Sequence, residues 1–152
     1  MRGPNGEDLP QAILFACTLN AVRSPIAAAL MRYLYGKFCF VDSVGARAGE
    51  KDPFIAEILD EIGIDLGKHR PKSFDDLEDA SFDLVVTLTP EAHHKAMELT
   101  RTMAVDVEYW PIMDPTLVEG SREQRLEAYR ATRDDLMRRI RARFAVDRAG
   151  DA

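Results

Sequence analysis

The sequence predicts an α/β domain: a three-layer sandwich in which a four-stranded parallel sheet carries helices on both faces. Three observations predict it. Short apolar runs suited to buried strands alternate with stretches of helical period along the whole chain. Helix starts are marked by a capping residue followed by proline at Ser24-Pro25, Asp52-Pro53 and Thr89-Pro90. The length of 152 residues suits one domain and is too short for two.

Taken in order, residues 1–10 are rich in Gly, Pro and Asp and read as a flexible lead-in. Ala12–Ala16 (AILFA) is a continuous apolar run, as expected of a strand buried on both sides. A polar loop from Cys17 to Ser24 interrupts it. A helix capped by Ser24 follows, with Ile26, Leu30, Tyr33 and Leu34 at helical spacing until Gly36. Phe38–Ser43 is the second strand, and Gly45–Gly49 is a glycine-bearing loop. Asp52 caps a second helix whose apolar face is Ile55, Ile58, Leu59 and Ile62, with Gly63 as its stop. Ser73-x-x-Asp76 signals a short capped turn. Phe82–Leu88 is a β-branched third strand, and Thr89-Pro90 opens a helix to Leu99. Val105–Trp110 alternates by two as a half-buried strand, and Pro111–Pro115 is a loop. A long helix from Ser121 to Ala145 turns Leu126, Tyr129, Leu136, Met137, Ile140 and Phe144 inward and five of its arginines outward. The domain is thus expected over 11–146, with 147–152 as a tail and no internal repeat. Cys39 reads as core, and His93 and His94 as surface residues with no metal-binding spacing.

With 46% hydrophobic and 30% charged residues, the chain is neither disordered nor collagen-like. Its 20 Lys+Arg against 26 Asp+Glu give a net charge of −6, so no overall positive field exists to hold nucleic acid or an anionic membrane. An anionic ligand must be held locally. Two cysteines are too few for a disulfide scaffold or a zinc cluster and suit a reducing cytoplasm. No apolar run of ~18 residues or secretory leader is expected.

Ligands of such sheets bind beyond the carboxyl ends of the strands, where the loop Cys17-Thr18-Leu19-Asn20-Ala21-Val22-Arg23-Ser24 is expected. Free N–H groups and the dipole at a helix start favour an anion there. Arg23 adds a guanidinium able to grip two phosphate oxygens. The same field favours Cys17 as a thiolate nucleophile, to which the Ser24 hydroxyl can donate. Asn20 fits a tight loop because it tolerates a left-handed backbone.

These residues resemble the low-molecular-weight protein tyrosine phosphatase family, whose loop reads roughly Cys-x-Gly-Asn-x-Cys-Arg-Ser-Pro; Cys17, Asn20, Arg23, Ser24 and Pro25 stand in the corresponding places. Val41-Asp42-Ser43, Gly63-Ile64-Asp65, His69-Arg70 and Phe82-Asp83-Leu84 extend the likeness, and Asp114-Pro115 falls where the family keeps its general acid. The resemblance implies two-step hydrolysis of a phosphate monoester with catalytic Cys17, Arg23 and Asp114. Residues Thr18 to Ser24 would bind the phosphate or a similar oxyanion. Asn20, Ser24, Ser43 and His69 would stiffen the loop. It also implies that no metal or organic cofactor is needed, and that the substrate is a phosphorylated protein or a small aryl phosphate.

Three departures bear on the substrate. The family's loop glycine is Leu19, its second loop cysteine is Val22, and the aromatic residues that wall the pocket are replaced by Thr116 and by the Gly45–Gly49 loop. Phosphotyrosine would lose stacking surface. The competing function is arsenate reduction, shared by enzymes that look like this family. No further cysteines follow the third strand, so that function requires an external thiol such as glutathione. A non-catalytic phospho-binding module or a phosphocarrier would have no use for Asp114.

Overall fold

A computed structural model describes residues 2–77 and 81–146; the expected tail at 147–152 lies outside the described residues. The elements are β1 (Ala12–Cys17), α1 (Arg23–Tyr35), β2 (Phe40–Gly45), α2 (Pro53–Asp60), β3 (Leu84–Thr87), α3 (Pro90–Leu99), β4 (Asp106–Tyr109) and α4 (Arg122–Arg143). Short 3₁₀ turns lie at Phe74–Asp76 and Pro115–Leu117. The sheet order is β2-β1-β3-β4 with every pair parallel, so β1 and β3 are internal strands. That position explains their unbroken apolar character.

Successive β1 side chains serve opposite layers. Ile13, Phe15 and Cys17 join a core with Ile26 and Leu30 of α1, Ile55 and Ile58 of α2, and Leu136 and Ile140 of α4. Leu14 and Ala16 pack instead with Val85 of β3 and with Ala92 and Ala96 of α3. The three layers therefore carry α1, α2 and α4 on one face and α3 on the other. Ile13, Leu14 and Phe15 are fully buried, and each stabilises the fold by roughly 1.5–3 kcal/mol.

Several sequence boundaries move, each for a local reason. β2 begins at Phe40 rather than Phe38, because the Phe38 N–H closes the end of α1 on the Tyr35 carbonyl at 2.9 Å. β3 is shortened because Asp83 turns its carboxylate to the N–H groups of Gln11 and Ala12, at 3.0 and 2.7 Å. α2 ends before Ile62, which is exposed; Gly63 (φ 76°) reverses the chain as expected. Five α4 arginines (Arg122, Arg125, Arg138, Arg141 and Arg143) are exposed as expected, whereas Arg133 is buried, donating to the Ile58 carbonyl at 2.7 Å and to Glu61 at 2.8 Å.

The lead-in folds as a turn, with the Gly3 N–H on the Glu7 carbonyl at 2.8 Å and Leu9 within the core. His93 is also not a free surface residue. Its Nδ1 lies 2.9 Å from Thr87 Oγ1 and its ring stacks on Tyr109, whereas His94 is exposed beside Glu98. Cys39 is in the core, where burial and the nearby Asp83 charge push its thiol up to about 11. Among the described residues no helix is long and apolar enough to cross a membrane.

Candidate active site

The loop 18–22 leaves the carboxyl end of β1 and delivers the chain into α1 at Arg23. Ser24, expected as the cap, lies inside α1 and is fully buried; Val22 occupies the N-cap position and no side chain caps the helix. The reason is that the Ser24 hydroxyl is used elsewhere. Its Oγ lies 2.9 Å from Cys17 Sγ, donates to the Val44 carbonyl at 3.2 Å and accepts from Asn20 Nδ2 at 2.8 Å. By contrast Asp52, Thr89 and Ser121 cap α2, α3 and α4 with their side chains. The N-terminal amides of α1 are thus left for a ligand.

Asn20 organises the loop from behind. It is the single described non-glycine residue at positive φ (55°) and is fully buried. Its Nδ2 donates to both Ser24 and Ser43, the latter at 2.9 Å, and its Oδ1 accepts from the Lys72 N–H at 3.0 Å. Its carbonyl lies 2.8 Å from His69 Nε2. Since a carbonyl only accepts, His69 carries its proton on Nε2. Burial holds the His69 imidazole below its ordinary range, and the charges of Arg32 and Lys72 act in the same direction against the Asn20 bond. The residues expected to support the loop are therefore in contact with one another. Lys72 and Val44 were missed, because backbone partners leave no residue-type signal.

The loop 45–49 runs beside this one, its Ala46, Arg47 and Gly49 N–H groups donating to the carbonyls of Cys17, Thr18 and Leu19 at 2.8–2.9 Å. A Cβ at Gly45 would lie 2.7 Å from the Asn20 nitrogen, so that close approach needs glycine. Leu19 does not block the loop; it stands 42% exposed at the mouth with its Cβ against Gly49. Thr18 donates to Thr89 Oγ1 at 3.2 Å, while Ala21 and Val22 pack toward the core.

Asp114 reaches the same place from the loop after β4. Its Oδ2 lies 3.8 Å from Arg23 Nη2, across 91 positions of sequence (114 less 23). Arg23 Nη1 donates to the Ile112 carbonyl at 3.0 Å, tying the guanidinium to the acid's own loop. Asp114 Oδ1 accepts from the Thr116 N–H at 2.9 Å and its hydroxyl at 2.7 Å, which leaves Oδ2 toward Arg23. Thr116, which stands where the resemblance leads one to expect an aromatic residue, thus orients Asp114. The flanking Met113 and Leu117 are strongly exposed.

Cys17 and Cys39 are remote from each other. Phe40, next to Cys39, pairs with Ala12, while Cys17 ends the same strand. Five residues at ~3.3 Å each separate the two thiols by roughly 17 Å. Among the described residues no group of three or more His, Cys, Asp or Glu is placed to hold a metal.

The family model for low molecular weight phosphotyrosine protein phosphatase matches residues 12–147. An arsenate reductase of Halalkalibacterium halodurans is 30% identical over 132 residues, covering 86% of this chain and 93% of the relative. Among solved structures, a mutant of YwlE from Bacillus subtilis superposes with a TM-score of 0.70 at 27% identity, covering 86% of this chain and 94% of that one. The arginine phosphatase YwlE with a phosphorylated active-site serine gives a TM-score of 0.68 at 26% identity, over 86% of this chain and 91% of that one. The chain belongs to the low molecular weight phosphotyrosine protein phosphatase family and is similar in sequence to arsenate reductases.

Proposed function

We propose that the protein is a cysteine-dependent phosphate monoester hydrolase that works through a phosphocysteine on Cys17, with Asp114 as general acid and then base. The observation that carries this reading is the meeting of Asp114 with Arg23 across the loop mouth, at 3.8 Å, from loops that follow different strands. An oxyanion holder needs Arg23 and the α1 amides; only a reaction with a leaving group needs the carboxylate as well.

In the first step the Cys17 thiolate forms a bond to phosphorus while the ester P–O bond breaks. The departing oxygen takes a proton from Asp114 Oδ2, the oxygen that Thr116 does not occupy. Arg23 and the uncapped amides of α1 hold the equatorial oxygens through both steps, where preorganised donors count most. Water then attacks phosphorus, returning a proton to Asp114, and the S–P bond breaks to release inorganic phosphate and the thiolate. The Ser24 hydroxyl, 2.9 Å from Cys17 Sγ, stabilises that leaving thiolate by turning its single O–H from the Val44 carbonyl to sulfur. The substrate is a phosphorylated protein or small phosphate ester that accepts an aliphatic rim of Leu19, Met113 and Leu117. A cytoplasmic setting suits the free Cys17.

Arsenate reduction is the second reading, favoured by the name of the curated relative. The buried, distant Cys39 disfavours an internal disulfide relay, so reduction would draw on an external thiol. One experiment separates the two: p-nitrophenyl phosphate hydrolysis by wild type and Cys17→Ser, beside arsenate reduction with glutathione and glutaredoxin. Hydrolysis that falls by on the order of 10⁴-fold in Cys17→Ser, without reduction, is expected. Thiol-dependent reduction without hydrolysis would replace the phosphatase assignment.

A further inference from the structure

A cavity of about 400 Å³ lies behind the phosphate loop, lined by Arg32, Ser43, Lys68, His69, Arg70 and Lys72 together with Asp42 and Leu66. Its size falls within the ~300–1,000 Å³ of small-molecule sites. None of Cys17 to Arg23 lines it, so it is distinct from the nucleophile's loop. Yet Ser43, His69 and Lys72 all hydrogen-bond Asn20 of that loop.

The charge of this cavity runs against that of the chain. Four cationic side chains face a single carboxylate, in a protein of net charge −6. Asp42 is already engaged, with Lys72 Nζ at 2.7 Å and Arg32 Nη2 at 3.9 Å. Among the described residues Lys68 and Arg70 have no carboxylate partner, and both are exposed along the cavity edge. Burial holds the His69 imidazole below its ordinary range, and the charges of Arg32 and Lys72 add to it in the same direction. The donors also converge. Ser43 is buried at 3% exposure and accepts from Asn20, which leaves its own O–H free to donate.

We propose that this cavity binds a small polyanion carrying two or more phosphate groups, at a site separate from the phosphate loop. One phosphate group meets Lys68 and Arg70 at the edge, and the next reaches the Ser43 hydroxyl and Lys72. Two sets of donors line the one cavity, which suits a ligand with more than one phosphate group. The concavity favours a small molecule over an acidic protein segment, which would need a flatter and longer charged face. Occupancy would engage the 68–72 segment, whose His69 and Lys72 bond Asn20. The site is inferred from binding chemistry alone and stands whether or not the protein hydrolyses phosphate esters.

Isothermal titration with sodium tripolyphosphate at low salt tests it, using the full chain as wild type, Arg23→Ala, and Lys68→Gln with Arg70→Gln. Arg23→Ala disables the phosphate loop and should still bind one equivalent. Placing Lys68→Gln and Arg70→Gln in that background should weaken binding at least about tenfold, since two charge-assisted contacts are lost. Both residues are exposed, so circular dichroism should show an unchanged fold. Amide shifts in nuclear magnetic resonance on titrating Arg23→Ala should centre on Ser43 and 68–72. Loss of all binding in Arg23→Ala, or binding indifferent to Lys68→Gln and Arg70→Gln, would overturn the proposal. Tighter binding of hexaglutamate than of tripolyphosphate would overturn the small-anion assignment and make the cavity a protein-docking site.

Discussion

The adjacent internal strands β1 and β3 both end beside a helix N-terminus, and the two junctions are built in opposite ways. After β3 the chain needs only Leu88 and Thr89 before α3, and Thr89 closes the helix with its own side chain on the Ala92 N–H at 3.2 Å. After β1 a loop of five residues intervenes, α1 has no capping side chain, and the polar atoms that could cap it point backward into a buried network. A capped end is stable and inert, because its donors are satisfied. An uncapped end held open by Asn20 and flanked by Arg23 keeps its donors for an anion and needs buried hydrogen bonds to hold it in that state.

The largest expected effect comes from removing what holds the β1 junction open. Asn20→Ala deletes bonds to Ser24, Ser43 and Lys72 and puts alanine at a φ of 55°. Urea unfolding should show a loss of about 2–4 kcal/mol, with at least a ~100-fold fall in turnover of p-nitrophenyl phosphate. Wild-type turnover in this variant would mean the loop needs no buried scaffold.

Asp114→Asn sharpens the comparison from the other side of the mouth. It should slow hydrolysis of phenyl phosphate by about 10²–10³-fold while costing p-nitrophenyl phosphate far less, since only a poor leaving group needs protonation. Equal losses on both substrates would remove the acid from Asp114.

A capped end gives the contrasting outcome. Ser121→Ala breaks the capping box with Gln124 at the start of α4 and should cost about 1 kcal/mol of stability with turnover unchanged. A drop in turnover as large as that of Asn20→Ala would erase the distinction between the two kinds of helix start.

The smallest effect is a pH dependence of stability. The His69 imidazole is held below its ordinary range, chiefly by burial. As pH falls below about 6.5 the unfolded chain takes up this proton while the folded protein resists, so stability declines toward acid and is fully present above that value. Comparing unfolding free energies of wild type and His69→Gln between pH 7.5 and 5 isolates the slope. Identical slopes would show that His69 does not carry it.

Much of this was readable in the chain, since parallel strands buried on both faces must be continuous apolar runs and a Pro after a capping residue marks a helix start by local sterics alone. The set of Cys17, Asn20, Arg23 and Ser24 was legible because a loop that binds an anion needs those residue types within one turn of chain. Tertiary structure alone decided the rest. It turned Ser24 from a cap into a partner of Cys17, because the buried Asn20 and Val44 offered its hydroxyl better bonds than the exposed end of the helix. It set Thr116 to orient Asp114 and buried Arg133 on the Ile58 carbonyl. It also gathered Arg32 with Lys68, Arg70 and Lys72 around one cavity, from segments more than 30 positions apart (68 less 32 is 36). Local sequence fixes period and caps; which hydroxyl, carbonyl or cation becomes the nearest partner is set by packing between distant segments.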